Sequence, residues 1–315
     1  MSSSAEFSGF LTSMETLILL SPVARFFQGE RSAFIQVIAF LGVWLGFWLP
    51  LAIPLVLTRE WRPFQPLKWE QKLPLLASLY LLVPLVVWTT SPNGRSSFSS
   101  YGWIWKRTTL QSAAIGFALA VSGLIILWAI ERSFGWLELK LDPSLSAKPN
   151  PISRSKILPP QIAIAVASLP IFGLAVWIGG TEELVFRGVL LDLFDRDYSL
   201  WISAAIASAI FALLHLIWDI RDTLPQLPGL WLMGIVLTLA RICDGGSLGL
   251  AWGLHAGWIW GISCFDTLFV VRYTGKISPW ITGIATKPLA GILGVLLLIT
   301  TGAILTFSSG IYPLS

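Results

Sequence analysis

Long apolar segments recur along this chain of 315 residues, and most of them approach the length that a helix needs to cross a lipid bilayer. Inside a bilayer the backbone N–H and C=O groups must be satisfied within the protein, so we expect these segments to be helices. The pattern predicts an all-α, polytopic transmembrane helix bundle with about eight spans, within a range of seven to nine. The predicted spans are 33–57, 73–88, 110–130, 160–178, 200–218, 227–242, 248–271 and 289–307.

The charge content agrees with a membrane protein. Only 12% of the residues are charged and 55% are hydrophobic, whereas a soluble domain has about 25% charged residues. The net charge of +4 comes from Lys and Arg in the connections between spans, where positive charge sets topology rather than binding nucleic acid. We therefore expect a multi-pass protein of the plasma (inner) membrane, with the lipid bilayer and no nucleic acid as partners.

The polar stretches divide the chain into three regions. Residues 1–150 form an N-terminal membrane region of about three spans, with an interfacial segment at 12–27 and a polar, proline-containing insertion that starts at residue 131 and runs to residue 158. Residues 151–275 form the candidate catalytic core, and residues 276–315 hold the C-terminal span. The two cysteines, Cys243 and Cys264, lie in or beside apolar segments, which argues against a disulfide or a four-ligand zinc site.

Ionisable side chains at bilayer depth are costly, so they mark functional sites by default. Glu182 and Glu183 follow the fourth span, and Arg187 lies four residues after Glu183 on the same helical face, which predicts an ion pair. Glu182 projects about 100° away and is left free to act as a general base. The alternative is a helix that starts at the interface with Thr181 as its cap and with both carboxylates in solvent.

The chain contains only two histidines, and each lies in a predicted span. His215 follows Phe211 by four residues in the fifth span, and His255 lies inside the seventh. Alone, each is as well explained by hydrogen bonding between helices. Together with the glutamate pair in the same half of the chain, they predict a polar site that converges inside an apolar bundle.

These motifs, Glu182-Glu183-x-x-x-Arg187, Phe211-x-x-x-His215 and the single His255, resemble in order and spacing those of the CPBP intramembrane protease family. This family, also called ABI, includes the CAAX prenyl endopeptidases and bacteriocin-processing or immunity proteins. The resemblance covers residues 160–270. It implies a helical bundle that encloses a hydrated cavity, and an intramembrane endopeptidase that acts on a membrane-anchored protein or peptide.

The resemblance also implies a role for each residue. Glu182 is the base that activates a water, His215 helps to hold that water, and His255 donates to the oxyanion. Glu183 and Arg187 brace the site. In the prenyl endopeptidases an asparagine follows the second histidine by four residues, whereas this chain has Ile259, which cannot donate a hydrogen bond.

A replacement donor could come from the indole N–H of Trp258 or Trp260, although packing is the commoner role of tryptophan in a chain with 17 of them. Without such a donor, the loss of one oxyanion contact costs about 10²- to 10³-fold in rate.

Three alternatives stay open. Zinc held by Glu182, His215 and His255 would give a metallopeptidase, although the chain lacks the His-Glu-x-x-His helix of many zinc proteases. A non-catalytic scaffold or immunity-type protein would keep the protease fold and explain Ile259. A transporter would suit carboxylates in the membrane, but the sequence shows no repeat. We favour a glutamate peptidase with no cofactor.

Overall fold

The computed structural model of the protein describes residues 22–59, 69–91, 96–142 and 159–309, and most of these lie in helices. Residues 12–21 of the predicted interfacial segment and residues 143–158 of the polar insertion lie outside the described part. The N-terminal region contains α1 (Pro22–Gln28), α2 (Ala33–Arg59), α3 (Trp69–Leu81), α4 (Val83–Thr90), α5 (Ser96–Ser100), α6 (Arg107–Ser133) and strand β1 (Leu137–Leu141).

The second half of the chain begins with a long helix and continues through shorter elements. Its members are α7 (Pro160–Glu183), a π-helix (Leu184–Leu190), α8 (Leu191–Asp195), α9 (Leu200–Leu214), a 3₁₀ turn (His215–Ile217), α10 (Ile220–Thr223), a 3₁₀ turn (Leu224–Gln226), α11 (Leu227–Cys243), α12 (Gly249–Leu268), strand β2 (Phe269–Tyr273), α13 (Pro279–Thr282), two 3₁₀ turns (Ile284–Thr286 and Pro288–Ala290) and α14 (Ile292–Ser309).

Within the described residues, seven helical segments are long and apolar enough to cross a membrane: Ala33–Thr58, Leu73–Thr90, Arg107–Ser133, Ile164–Asp195, Leu200–Ile217, Ile220–Cys243 and Ile292–Ser309. The predicted helical bundle is therefore confirmed, and the protein is an integral, multi-pass membrane protein. Helix α12, which corresponds to the predicted seventh span, is not among these seven segments. It packs mainly against α6 and α7.

The structure differs from the prediction at Thr181. No new helix begins there, because α7 runs through Glu183 and continues directly into the π-helix. The Thr181 hydroxyl donates to the Trp177 carbonyl, 2.8 Å away, as a residue inside a helix does. The glutamate pair consequently lies in the middle of a helical segment of 32 residues rather than at a helix start on the membrane surface.

A short antiparallel ladder was not predicted. Strand β1 pairs with β2, from Leu137 opposite Tyr273 to Leu141 opposite Phe269. The alternation of Leu with Glu and Lys in β1 suits a strand with one apolar face, and Val270 and Val271 favour an extended backbone in β2. Helix α12 therefore ends at Leu268, before the end of the predicted span at 248–271.

A line of glycines brings α12 close to α6. The glycines recur every fourth residue along one face of α12, at Gly249, Gly253, Gly257 and Gly261. A methyl group on Gly253 would overlap the Ala113 carbonyl oxygen, and one on Gly257 would lie 2.7 Å from the Ala120 Cβ. Small residues at this spacing let two helix backbones approach closely in a membrane.

Helix α7 approaches the opposite side of the site through Gly179. A Cβ atom at this position would lie 3.1 Å from the Ala256 backbone nitrogen, one residue after His255. The helix that carries the glutamates and the helix that carries His255 are thus in backbone contact three residues before Glu182. Close packing of this kind is what places side chains of two helices within hydrogen-bond distance.

An apolar cavity of about 450 Å³ lies among α6, α7, α12 and the β-ladder. Trp128, Phe265 and Arg132 are among its lining residues. Trp260 and Gly261 also line it, and they lie about 8 Å beyond His255 along α12 by the rise of a helix.

We expect Gly253→Ala to lower the thermal unfolding midpoint in detergent, because its methyl group would overlap backbone atoms of α6. Overpacking of this kind costs about 1–3 kcal/mol. Gly173→Ala is the matched control, since no other atom lies within 4 Å of a Cβ at that helical position. The control should match or exceed wild-type stability because alanine favours a helix by up to about 1 kcal/mol. Equal midpoints for the two variants would contradict the close approach of α6 and α12.

Candidate active site

The two adjacent glutamates are buried in the bundle. Glu182 is 6% exposed and Glu183 is 0% exposed, so the alternative of solvated carboxylates at a helix start is wrong. A carboxylate without water around it needs a cation or hydrogen-bond donors close by. The contacts of each glutamate therefore determine what the site can do.

Glu183 forms the ion pair with Arg187 that the spacing predicts. The Arg187 Nη1 atom donates to Glu183 Oε1 across 3.1 Å, and the arginine is only 1% exposed. The guanidinium lies over the Phe211 ring, 4.5 Å from its centroid, which adds a cation–π contact. Gly234 leaves room for it, since a Cβ there would lie 3.1 Å from Nη2.

The π-helix that follows the glutamates changes the hydrogen bonding of the backbone around Arg187. Single π-turns inside α-helices occur often at functional sites because they shift side chains around the axis. Here the guanidinium of Arg241 on α11 donates from Nη1 to the Arg187 carbonyl and from Nε to the Gly246 carbonyl. Arg241 thus joins α11 to the helical segment that carries the ion pair.

His255 bridges the two glutamates. Its Nδ1 atom lies 2.7 Å from Glu183 Oε1, and its Nε2 atom lies 3.4 Å from Glu182 Oε2. The ring is 2% exposed. Because an ionised carboxylate only accepts hydrogen bonds, Nδ1 carries the proton in its contact with Glu183. The structure thus brings together Glu182, Glu183, Arg187 and His255 from two helices.

His215 lies beside this group and packs against Phe211. Its ring packs edge-on against the Phe211 ring, with centroids 4.6 Å apart, and the Phe211 ring packs against the His255 ring at 5.8 Å. Its Nδ1 atom lies 2.8 Å from the Phe211 carbonyl oxygen, which can only accept. Nδ1 therefore carries the proton in the neutral ring, and Nε2 is the basic nitrogen. Phe211 is fully buried, and its ring contacts both imidazoles.

Tyr80 is a residue of the site that the sequence analysis missed. Its hydroxyl donates to Glu182 Oε1, across 102 positions of sequence, and its side chain is buried. Tyr80 lies on α3, in the N-terminal region. A tyrosine in an otherwise apolar predicted span is the only local signal that could have marked it.

The two tryptophans near Ile259 that could replace the missing donor differ in their hydrogen bonding. The Trp260 indole N–H donates to the Ser168 carbonyl, 3.3 Å away, so it joins α12 to α7. The Trp258 indole N–H is buried and has no hydrogen-bond partner among the described residues. Ile259 itself is half-buried.

The zinc alternative requires three donors around one point. Among the residues that the structure describes, no three His, Cys, Asp or Glu side chains are grouped to hold a metal ion. Glu182 and His255 face each other, but Glu182 Oε1 accepts from Tyr80 and His255 Nδ1 is directed at Glu183. As these side chains are oriented, they do not fit a zinc ion.

Comparison with known proteins assigns this region to a family. Residues 164–261 match the family model described as type II CAAX prenyl endopeptidase Rce1-like. The chain carries an Rce1-like domain of the CPBP family. The domain covers about a third of the chain. No curated protein and no solved structure matches the chain.

The Rce1-like domain contains every site residue that the sequence predicts and excludes Tyr80. It lies inside the region predicted as the core at 151–275, whose boundaries remain a prediction. The helices outside the domain therefore contribute at least one contact to its buried glutamates.

We expect Arg187→Met to destabilise the protein by about 3–5 kcal/mol, because it leaves the Glu183 carboxylate buried without its cation. Arg196→Met is the matched control, since Arg196 pairs with Asp192 at the same spacing and the same 3.1 Å, but both side chains are about 40% exposed. An exposed pair of this kind contributes about 0.5 kcal/mol. Unfolding in detergent, followed by tryptophan fluorescence, measures both, and similar losses would show that burial of the Arg187 pair is unimportant.

Proposed function

We propose that this protein is an intramembrane endopeptidase that hydrolyses a peptide bond of a membrane-associated protein or peptide. The observation that supports this most directly is the buried contact between the Glu182 carboxylate and the His255 imidazole inside an Rce1-like domain. A carboxylate and an imidazole at hydrogen-bond distance supply a base for water and a donor for a developing oxyanion. The apolar surroundings strengthen both interactions.

In this proposal Glu182 is the general base. It takes a proton from a water whose oxygen attacks the scissile carbonyl carbon, and it later returns that proton to the leaving amine. His215, with Nε2 as its basic nitrogen, helps to hold the water. The tetrahedral intermediate carries its negative charge on the former carbonyl oxygen, which is where a preorganised donor is needed.

His255 is the proposed oxyanion donor. With Nδ1 protonated towards Glu183, the ring donates from Nε2 only when it is doubly protonated. An imidazolium between the two glutamates also balances the charge of the buried group, since Arg187 and His255 then offset two carboxylates. Glu183 and Arg187 brace the site because they fix the proton and the orientation of the His255 ring. The Trp258 indole N–H is the proposed second donor in place of the asparagine that Ile259 replaces.

The proposed substrate is a peptide with a lipid anchor, the class that the name of the matched family describes. The apolar cavity along α12 supports this class, because its lining suits a hydrocarbon chain and it lies about 8 Å from His255 along the helix. The cavity walls also include Arg132, a cation that suits an anionic group at the end of such a substrate.

The proposed location of the protein is the plasma (inner) membrane.

A non-catalytic scaffold or immunity-type protein is the second candidate, and Ile259 is the observation that favours it. A protein of this kind would bind a membrane partner through the same fold and cleave nothing. The buried Glu182 and His255 count against it, since unpaired or weakly paired ionisable groups are costly at bilayer depth. Activity measurements on the wild-type protein decide between the two candidates.

We expect Glu182→Gln to reduce cleavage of a farnesylated CAAX peptide in proteoliposomes at least about 100-fold, since the amide cannot take a proton from water. Stability should stay near wild type because the amide oxygen still accepts from the Tyr80 hydroxyl. Glu138→Gln is the control, since Glu138 is an exposed strand residue paired with Arg272. Equal cleavage by Glu182→Gln and wild type would remove Glu182 as the base. Absence of cleavage by the wild type, with lipidated and unlipidated membrane peptides alike, would favour the scaffold.

The proposed mechanism is metal-independent, as the donor set indicates. We expect EDTA or phenanthroline to leave the rate of peptide cleavage by the purified protein within about twofold of the untreated rate. Matched incubation with the zinc-loaded chelator controls for effects on the detergent or the membrane. Inactivation by the chelator, followed by recovery when zinc is added, would support the zinc alternative and overturn the metal-independent one.

A further inference from the structure

We propose that Tyr80, which lies outside the Rce1-like domain, is a positioning residue for Glu182. This inference rests on the proposed function of Glu182 as the general base. It assigns to the N-terminal region a part in catalysis that the matched domain does not contain. The proposal stands on one buried contact and on the way in which the fold holds the tyrosine that makes it.

The Glu182 carboxylate is held from two sides. Tyr80 donates its hydroxyl proton to Oε1, and the His255 Nε2 atom lies 3.4 Å from Oε2. Tyr80 comes from α3 and His255 from α12, so the carboxylate lies between two helices that are far apart in the sequence. When the His255 Nε2 proton is donated to the oxyanion, the Tyr80 hydroxyl is the contact that continues to restrict the rotamers of Glu182. Each oxygen keeps a second lone pair with which it can accept from a water.

The Tyr80 ring is fixed by two tryptophans. It packs at 30° to the ring of Trp44 of α2, with centroids 6.5 Å apart, and edge-on to Trp177 of α7, at 6.4 Å. These distances lie within the range of favourable aromatic pairs. The Trp44 indole N–H donates to the Leu79 carbonyl, 3.0 Å away, which ties α2 to the turn that carries Tyr80. The hydroxyl is therefore presented by a rigid ring rather than by a mobile one.

The backbone of this turn is shaped by a proline. Helix α3 ends at Leu81 and α4 begins at Val83, so the apolar segment is interrupted at Leu82. Pro84 has no N–H to donate to the Tyr80 carbonyl four residues earlier, and its ring crowds that carbonyl. The interruption at Leu82 lies two residues before Pro84 and within one turn of Tyr80. The sequence thus places a helix break beside the residue that contacts Glu182.

The expected role is to keep the carboxylate aimed at the attacking water. A general base must lie within hydrogen-bond reach of the proton that it removes, and a shift of about 1 Å can cost about 100-fold in rate. The hydroxyl of Tyr80 does not need to touch the substrate for this role. Its loss should therefore lower kcat, expressed per folded protein, and leave KM nearly unchanged.

The test is Tyr80→Phe, measured with the farnesylated CAAX peptide in proteoliposomes. The phenylalanine keeps the ring between Trp44 and Trp177 and removes only the hydroxyl. We expect kcat to fall about 10- to 100-fold, with KM within about twofold of wild type. Tyr101→Phe is the matched control, because the buried Tyr101 hydroxyl accepts from Ser91 and lies outside the site. The control should keep the wild-type kcat.

A kcat for Tyr80→Phe within about twofold of wild type, in a protein whose Glu182→Gln variant is inactive, would overturn the positioning role and leave the proposed function intact. A fall in kcat equal to that of Tyr101→Phe would do the same, since it would reflect buried hydroxyls in general. If Glu182→Gln is as active as wild type, the proposed function fails instead. The two failures are therefore distinguishable.

A measurement without substrate tests the contact itself. Thermal unfolding of Tyr80→Phe, Glu182→Leu and the double variant forms a double-mutant cycle. We expect the double variant to be more stable than the sum of the single losses predicts, because each single change leaves one buried partner unpaired. Strictly additive losses would overturn the hydrogen bond and the proposal with it.

Discussion

The structure depends on the need to neutralise an arginine in the interior of an apolar bundle. Arg187 is 1% exposed, and a cation there is tolerated only with carboxylates and aromatic faces around it. Glu183 meets it from one turn earlier on the same helical segment, and Phe211 covers it from α9. Arg241 donates to the Arg187 backbone carbonyl within the π-helix, and Gly234 leaves room for the Arg187 Nη2 atom. The position of Glu183 is thereby fixed, and the position of His255 follows from it.

The ion pair alone does not make a reactive site, because Glu183 is occupied by it. The second glutamate matters because it lies on a different side of the helix and faces the other nitrogen of the same imidazole. That arrangement requires the backbones of α7 and α12 to be in contact, and glycines on both helices permit it. Each glycine lowers the intrinsic stability of its helix, so the close packing is a cost that the geometry of the site requires. The geometry of the site therefore depends directly on the close packing of these helices.

The sequence predicts interactions within one helix better than those between helices. The Glu183–Arg187 pair was predictable because four residues return to the same face of a helix. The end of the fourth span was not predictable. Charged residues after an apolar run usually mark the membrane surface, whereas here the helix bundle buries these charged residues. Strand β1 was not predicted because it lies in a stretch whose charges and prolines are typical of a loop. The rarity of histidine was the only sign in the sequence that His255 is buried in a polar site. The distance from His255 to either glutamate depends on helix packing, which no local sequence pattern predicts.

Tyr80 shows where prediction from the sequence stops. Nothing in its neighbourhood on the chain relates it to Glu182, and the matched domain begins 84 residues later, at residue 164. Its place is set by contacts with Trp44 and Trp177, which come from two further helices, and by the break that Pro84 causes. A hydrogen bond to a buried carboxylate must be aimed within a few tenths of an ångström, and this aim is the product of three separated segments, α2, α3 and α7. The domain that identifies the family supplies the charges of the site, and the helices in front of it supply part of their orientation.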